Sequence, residues 1–512
     1  MISPSMEIPF YCYFLLFLLL FILTKHLILP SKRLPPGPAF SLLIIGHLHL
    51  LKKPLHRSFA KLADQYGPVL YIKMGSRPVL LVSSPTAAEE CFTKNDIAFA
   101  NRPRLLAGKH LGYNYTTLVW ASYGYHWRNL RRIASLELLS SNRLQTFYGI
   151  RVDEVRSLIS RLFQDLEGVE FRTVDMKSVF FQLTLNVMMR MIAGKRYYGE
   201  NAAELEETRE FKKIVKETLQ LSVPTNLGDF LPAFKWVGSR GLEKRLVILQ
   251  GKRDKFMQEL IEEQRRMRAD SAFEERDKNM IDVLLSLQEA EPEFYKDEIV
   301  RGMMLVMLTA GTDSSAGTME WVLSLLLNNP ESLVKAQAEI HNHIGQNRLL
   351  EESDLTELPY LRSIINETLR MYPPAPLLPH ESSEECTVGG FHVPCCTMLM
   401  VNAWGIQNDP KIWAEPRKFK PERFQGLEGE RKFDGMVLLP FGAGRRGCPG
   451  EGLAMRMVGL ALGSLIQCFE WKRIGEEMVD MTEGAGLTVP KAQPLLAMYK
   501  PHPAMANYLS KL

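Results

Sequence analysis

Cysteine is scarce in this chain: seven in 512 residues, at 12, 91, 386, 395, 396, 448 and 468. The number is odd, the spacing is scattered and no CxxC pair occurs, so neither a disulfide framework nor a structural zinc site is expected. Cys395 and Cys396 are adjacent, and neighbouring side chains are not expected to face one metal ion. An excess of charge of one sign is also lacking. Lys and Arg number 62 against 58 Asp and Glu, a formal net charge of +4, which gives no electrostatic case for nucleic acid. Repeats, low-complexity tracts and shifts of composition are missing as well. Length alone would suggest about three domains, yet residues 41–512 read as one unit.

The N-terminus is different. Ile8 to Thr24 is a run of 17 uncharged residues, most of them Leu, Phe or Ile. Continued to Leu29, with Lys25 snorkelling, it reaches the roughly 20 residues that span a bilayer. A basic n-region and a small-residue cleavage site are both missing, so residues 1–29 read as an uncleaved anchor rather than a signal peptide. Lys25, Lys32 and Arg33 follow the uncharged run, which places the downstream chain in the cytosol. The sequons at Asn114 and Asn366 are then expected to carry no glycan. Residues 30–40 hold Leu34-Pro35-Pro36-Gly37-Pro38, which reads as a stiff hinge between anchor and body.

Tyr66 to Ser84 alternates like two paired strands around Gly75-Ser76-Arg77-Pro78, the only clear β signal before residue 385. Residues 101–125 show little period and could line a pocket. From about 126 to 300 the pattern is helical, with a Pro- and Gly-containing break at 221–238. Asp297 to Asn328 is a near-continuous apolar helix without proline, roughly 48 Å long at 1.5 Å per residue. Ala310-Gly311-Thr312-Asp313-Ser314-Ser315 sits at its centre. Glycine and back-bonding hydroxyls weaken a helix, so this point reads either as a functional local opening or as a packing site between helices.

Pro440-Phe441-Gly442-Ala443-Gly444-Arg445-Arg446-Gly447-Cys448-Pro449-Gly450 puts four glycines, two arginines and a cysteine in eleven residues. Glycine lets backbone approach a flat or bulky group, arginine suits carboxylate or phosphate, and cysteine offers a soft metal ligand. Haem meets all three demands; a nucleotide meets two. The stretch formally matches GxGxxG, but Pro440 interrupts the preceding apolar run, and Cys448-Pro449 intervenes before the next helix. No βαβ pattern follows, so the dinucleotide reading fails. Elsewhere, Glu367 and Arg370 lie at i, i+3 with Arg423 as a further partner, a candidate structural network before the loop. Trp127 and Arg131 lie four apart on one helix, able to clamp an anion. The pairs His47/His49 and His341/His343 lack a third ligand and read as structural.

Together these segments resemble the cytochrome P-450 haem-thiolate monooxygenases, in their order and over essentially the whole chain. The carriers are Phe441-x-x-Gly444-x-Arg446-x-Cys448-x-Gly450, Glu367-x-x-Arg370, Pro421-Glu422-Arg423-Phe424, Trp127-x-x-x-Arg131, the hinge and the anchor. Their wording is similar to the plant A-type group, especially its isoflavone-hydroxylase-like branch. The resemblance implies a mainly α fold with small β-sheets behind one transmembrane helix. It implies haem b as cofactor, with Cys448 as thiolate ligand and Phe441 near the sulfur. Trp127, Arg131, Arg446 and His380 would meet the propionates, and Asp313 and Ser314 would relay protons during oxygen activation. The family's usual residue at the position of Ser314 is threonine, which bears on coupling rather than reaction class.

The implied partners are an NADPH-dependent flavoprotein reductase docking near Arg128, Arg132 and Arg445, cytochrome b5, O2 and the endoplasmic reticulum bilayer. Apolar walls expected from 105–125, 221–238, Val306–Ser314, Ala375–Leu378 and Gly484–Leu487 suit a flat, poorly charged aromatic or terpenoid; the branch resemblance implies a phenolic such as an isoflavone, lignan, benzophenone or xanthone precursor. Hydroxylation is the expected outcome, with oxidative coupling or ring closure by the same oxidant as a variant. A reductase-independent hydroperoxide isomerase is the rival within haem chemistry; Asp313, Ser314 and an uninterrupted loop disfavour it. A non-catalytic haem or membrane protein is the remaining reading.

Overall fold

The computed structural model describes Tyr13, Phe17 and residues 34–511, apart from 167–169, 200–205, 222–226, 232–238, 270–277, 427–435 and 487. The expected anchor at 1–29 therefore lies outside the described residues save for two positions, as does most of the break at 221–238. Among the described residues no helix is long and apolar enough to cross a membrane. The elements that position the site are helices α1 (Leu55–Tyr66), α2 (Pro85–Phe92), α3 (Tyr125–Arg132), α4 (Met176–Ala193), α5 (Asp297–Asn328), α6 (Pro359–Met371) and α7 (Glu451–Cys468). The strands are β1 (Val69–Met74), β2 (Arg77–Val82), β3 (Arg172–Asp175), β4 (Leu378–Glu381), β5 (Cys386–Val388), β6 (Phe391–Val393), β7 (Met398–Val401), β8 (Phe469–Lys472) and β9 (Leu496–Pro501).

Helix α5 has the bounds its apolar run predicts. Thr318 to Leu327 is buried at every position, as expected of a helix inside a core rather than on its surface. Its neighbour α4 lies very close: a Cβ on Gly311 would sit 2.6 Å from Met188 Sδ. Any side chain at Gly311 would have to displace Met188. The expected local opening is not observed, and α5 stays α-helical through 310–315. Ser314 Oγ donates to the Ala310 carbonyl at 2.7 Å, and Thr318 Oγ1 to that of Ser314 at 2.8 Å. These bonds add to the helical ladder without breaking it.

The larger sheet runs β1-β2-β7-β4, with β2 and β7 parallel and the other pairs antiparallel. β3, β9 and β8 form a second sheet, and β5 pairs with β6. β3 and β4 are additions to the sequence reading. Each has four residues, and β4 contains Pro379, tolerated because it is an edge strand. The hinge is laid against the sheet. Tyr71 N donates to Pro36 O at 2.8 Å, and a Cβ on Gly37 would fall 2.1 Å from Tyr71 O.

The segment leading to the cysteine loop hangs from α6. Glu367 and Arg370 are both fully buried. The carboxylate accepts two bonds from Arg370, at 2.7 and 2.9 Å, one from Arg423 Nε at 3.2 Å and one from Lys420 N at 3.0 Å. Arg370 also donates to the carbonyls of Gln407 and Pro416. The Gln407 side chain, in turn, accepts from Leu439 N at 2.6 Å. A chain of bonds thus runs from the buried ion pair to the residue before Pro440. Glu367→Gln leaves two guanidiniums short of their counter-charge; breaking a buried pair costs about 3–5 kcal/mol. Chemical denaturation is expected to show a loss of that size.

Candidate active site

The loop before α7 is closed by its own backbone: Cys448 N donates to Phe441 O at 2.8 Å. Gly442 and Gly444 adopt φ of +68° and +65°, a region open to glycine at little cost. Gly444 also presses on Asp96, whose Oδ1 would lie 2.5 Å from an added Cβ. Asp96 accepts from Arg445 N at 3.1 Å and pairs with the Arg445 side chain at 3.3 Å. At the end of the loop, Gly450 N donates to Cys448 Sγ at 3.3 Å. The sulfur is solvent-accessible yet surrounded by protein. Burial pushes its pKa up, against the Gly450 N–H, the Arg131 guanidinium and the Glu451 N–H. The helix terminus therefore does not by itself make the free thiol acidic; a coordinated metal would deprotonate it outright.

Three guanidiniums converge beside this loop. Arg446 donates to Ala100 O at 2.7 Å, to Leu118 O at 3.2 Å and to Ala121 O, and its guanidinium lies 4.4 Å from the Trp127 ring. Arg131 Nη1 donates to Gly447 O, and Arg102 Nη1 to Pro379 O. Arg102 Nε is buried with no hydrogen-bond partner among the described residues. Among the described residues, no carboxylate contributes to the electrostatics of any of the three. Burial brings Arg102 down to about 10; burial with Arg102 and Arg131 as neighbours brings Arg446 to about 9. The three are half-buried, and half-buried guanidiniums without carboxylate partners are a setting chemically suited to anionic groups. Arg102 lies in an irregular Pro-flanked segment and was not anticipated from sequence.

His380 on β4 belongs to the same cluster. Its Nδ1 bonds Phe99 O at 2.8 Å. A carbonyl only accepts, so Nδ1 carries the proton and the neutral ring leaves Nε2 as an acceptor. Burial, then Arg102 and Arg446, hold its pKa well below the usual value. The Trp127 indole N–H donates to Leu118 O at 3.0 Å, and its ring faces the Arg446 guanidinium. Phe441 is half-buried and joins the core next to the loop.

On α5, Asp313 and Ser314 do not bond each other. Asp313 Oδ2 accepts from Thr488 Oγ1 at 2.7 Å, from the C-terminal loop. That loop is fastened to the same helix by Trp321 Nε1 donating to Val489 O at 2.7 Å. It is also fastened to α1, where Arg57 forks onto Glu483 at 2.9 Å through both oxygens and His56 reaches it at 3.1 Å. Burial raises the Asp313 carboxyl above the usual range, while Thr488 and the more distant Lys177 oppose the rise. Thr488, 175 residues away, left no signal in the sequence pattern. On the other side, Tyr113, Asn114 and Tyr115 take φ of 48°, 50° and 64°, a left-handed turn costing roughly 1–2 kcal/mol per residue. It is clasped to α5 by Tyr113 OH donating to Asp254, which also accepts from Arg301 Nε at 2.8 Å.

The Cytochrome P450 family profile matches residues 35–498. The chain belongs to the cytochrome P450 family. The P450 is 50% identical over 511 residues to "Isoflavone 3'-hydroxylase" of Medicago truncatula, across 98% of this chain and 99% of that one. It is 47% identical over 482 residues to "(+)-piperitol/(+)-sesamin synthase" of Sesamum radiatum, across 94% and 93%. A solved zebra fish cytochrome P450 with progesterone superposes with a TM-score of 0.75 at 26% identity, covering 88% of this chain and all of that one. The P450 is a monooxygenase with haem b as its cofactor, its electrons coming from NADPH through a reductase. A soft sulfur beside three carboxylate-free guanidiniums fits an iron porphyrin with two propionates.

Two variants check this geometry. Thr488→Val removes a donor from the charged form of Asp313, so the carboxyl pKa rises further. Infrared titration is expected to show protonation at higher pH, reversed in Thr488→Ser. Gly444→Ala forces a left-handed alanine against Asp96, and is expected to cost at least about 1 kcal/mol in a melt of the purified protein and to weaken haem binding.

Proposed function

We propose that this P450 uses O2 and NADPH-derived electrons to hydroxylate, or oxidatively couple or ring-close, a hydrophobic phenolic of plant secondary metabolism. Isoflavonoid, lignan and benzophenone or xanthone precursors are the candidate classes. The observation that carries the substrate class is the near-full-length identity to proteins named for isoflavone hydroxylation and sesamin synthesis. The cation cluster around Cys448 supports the cofactor roles.

In this reading Cys448 is the thiolate ligand, tuned by the Gly450 N–H, and Phe441 packs beside it. Arg446, Arg131 and the added Arg102 hold the propionates, Trp127 supports Arg446, and His380 completes the polar rim. Bound haem supplies the oxidant for the C–H bond or phenol. Asp313 holds and passes protons on the face of α5, with Thr488 orienting its carboxylate. Ser314 lends its hydroxyl only by turning away from Ala310 O; serine lacks the methyl that restricts threonine's rotamer. Glu367, Arg370 and Arg423 hold the approach to the loop. The left-handed turn at 113–115 closes one side of the substrate region.

Residues 1–29 anchor the enzyme as a single pass in the endoplasmic reticulum membrane. Residues 30–40 form the hinge, and 41–512 form a catalytic domain facing the cytosol. A reductase, with cytochrome b5 as auxiliary, docks on the exposed arginines 128, 132 and 445, the last oriented by Asp96.

Microsomes containing the enzyme and its reductase, screened with phenolics, are expected to give substrate-binding spectra and NADPH-dependent hydroxylated or ring-closed products. Turnover of a hydroperoxide without reductase or O2 would count against this reading. Cys448→Ala is expected to abolish the thiolate-type ferrous carbon monoxide spectrum, and Arg102→Gln to lower haem retention during gel filtration while the ligand spectrum remains thiolate-type.

A further inference from the structure

Cys395 and Cys396 form the turn between β6 and β7, and both are exposed. Alternating side chains would point apart, but Cys396 has φ of +60° and the two sulfurs come to 3.3 Å on one side of the turn. The turn is held firmly. Cys396 N donates to Ser382 O and Thr397 N to Ser382 Oγ, each at 2.9 Å, and Ser382 is buried. Cys395 Sγ also contacts Ser383 O at 3.1 Å. No third His, Cys, Asp or Glu joins them in a metal-binding group among the described residues.

We propose that Cys395 and Cys396 form a bidentate site for a soft, pyramidal, thiophilic centre, of which trivalent arsenic is the type. Sulfur bonds of about 2.3 Å meeting near a right angle span about 3.3 Å, whereas the tetrahedral angle of zinc opens them to about 3.8 Å. The observed separation of 3.3 Å lies nearer the first value than the second. Two protein donors and one outside substituent complete such a centre, while zinc would need two more protein ligands. Closure to a disulfide is disfavoured by the chain itself. Neighbouring Cα atoms are about 3.8 Å apart across a trans peptide, short of the roughly 4.4–6.8 Å that an unstrained disulfide requires. Capture of an aryl arsenoxide involves no redox change. The arsenic–oxygen double bond is replaced by two arsenic–sulfur bonds, and the oxygen leaves as water with the two thiol protons.

The test uses the full-length haem-loaded enzyme in lipid nanodiscs with phenylarsine oxide as probe. Intact-mass measurement is expected to show one arsenical per chain, resistant to glutathione and removed by dithiothreitol. The adduct should map to the peptide carrying residues 395 and 396. Cys395→Ser and Cys396→Ser are each expected to lose it with an unchanged haem spectrum. No adduct on the wild type, or one that persists in either variant, overturns the proposal. So does zinc retained by the wild type, but by neither variant, with comparable affinity. The wild-type mapping stands even where a serine variant folds poorly.

Discussion

Half-buried positive charge gathered without its counter-charge is the constraint around which the loop end of this molecule is arranged. Arg102, Arg131 and Arg446 come from three separate stretches of chain, and each is bonded to backbone carbonyls rather than to carboxylates. Carbonyl dipoles orient a guanidinium but do not neutralise it. Arg446 also rests on the Trp127 ring, and Asp96 holds the neighbouring Arg445 through its amide and its side chain. In the proposed reading, the two propionates of haem would complete those electrostatics.

The same division of labour recurs on the far side of the core. Asp313 lies at the middle of the longest helix, but its partner comes from the C-terminal loop, which α1 and α5 both secure. An acid in a half-buried helical position needs an external donor to favour one rotamer, because helix neighbours at i+1 do not face each other. This explains why Asp313 and Ser314, adjacent in sequence, are not bonded partners here.

What the sequence made legible was local. The bounds of α5 follow from an apolar run without proline. Glu367 and Arg370 are one helical turn apart, and the loop at 440–450 carries its glycines, arginine and cysteine in one contiguous stretch. What it hid was non-local or contrary to pattern. β4 is short and contains proline; Arg102 lies in aperiodic chain; Gln407 and Thr488 act through partners distant in sequence. Cys395 and Cys396, as sequence neighbours, are not expected to face one metal ion, and a single left-handed residue brings their sulfurs together.

The contact between hinge and sheet gives the proline segment a second meaning. β1 is an edge strand, and an uncovered edge is a template for pairing with other chains. Pro36 O occupies the Tyr71 N–H, and the close approach at Gly37 seals the strand beside it. Proline brings no amide hydrogen of its own, so the cover cannot in turn recruit a further strand on that side. The segment is thus a guard for the sheet as well as a spacer. A soluble truncation that begins before Pro35 keeps that guard, and one that begins after Pro38 removes it, whatever the anchor itself contributes.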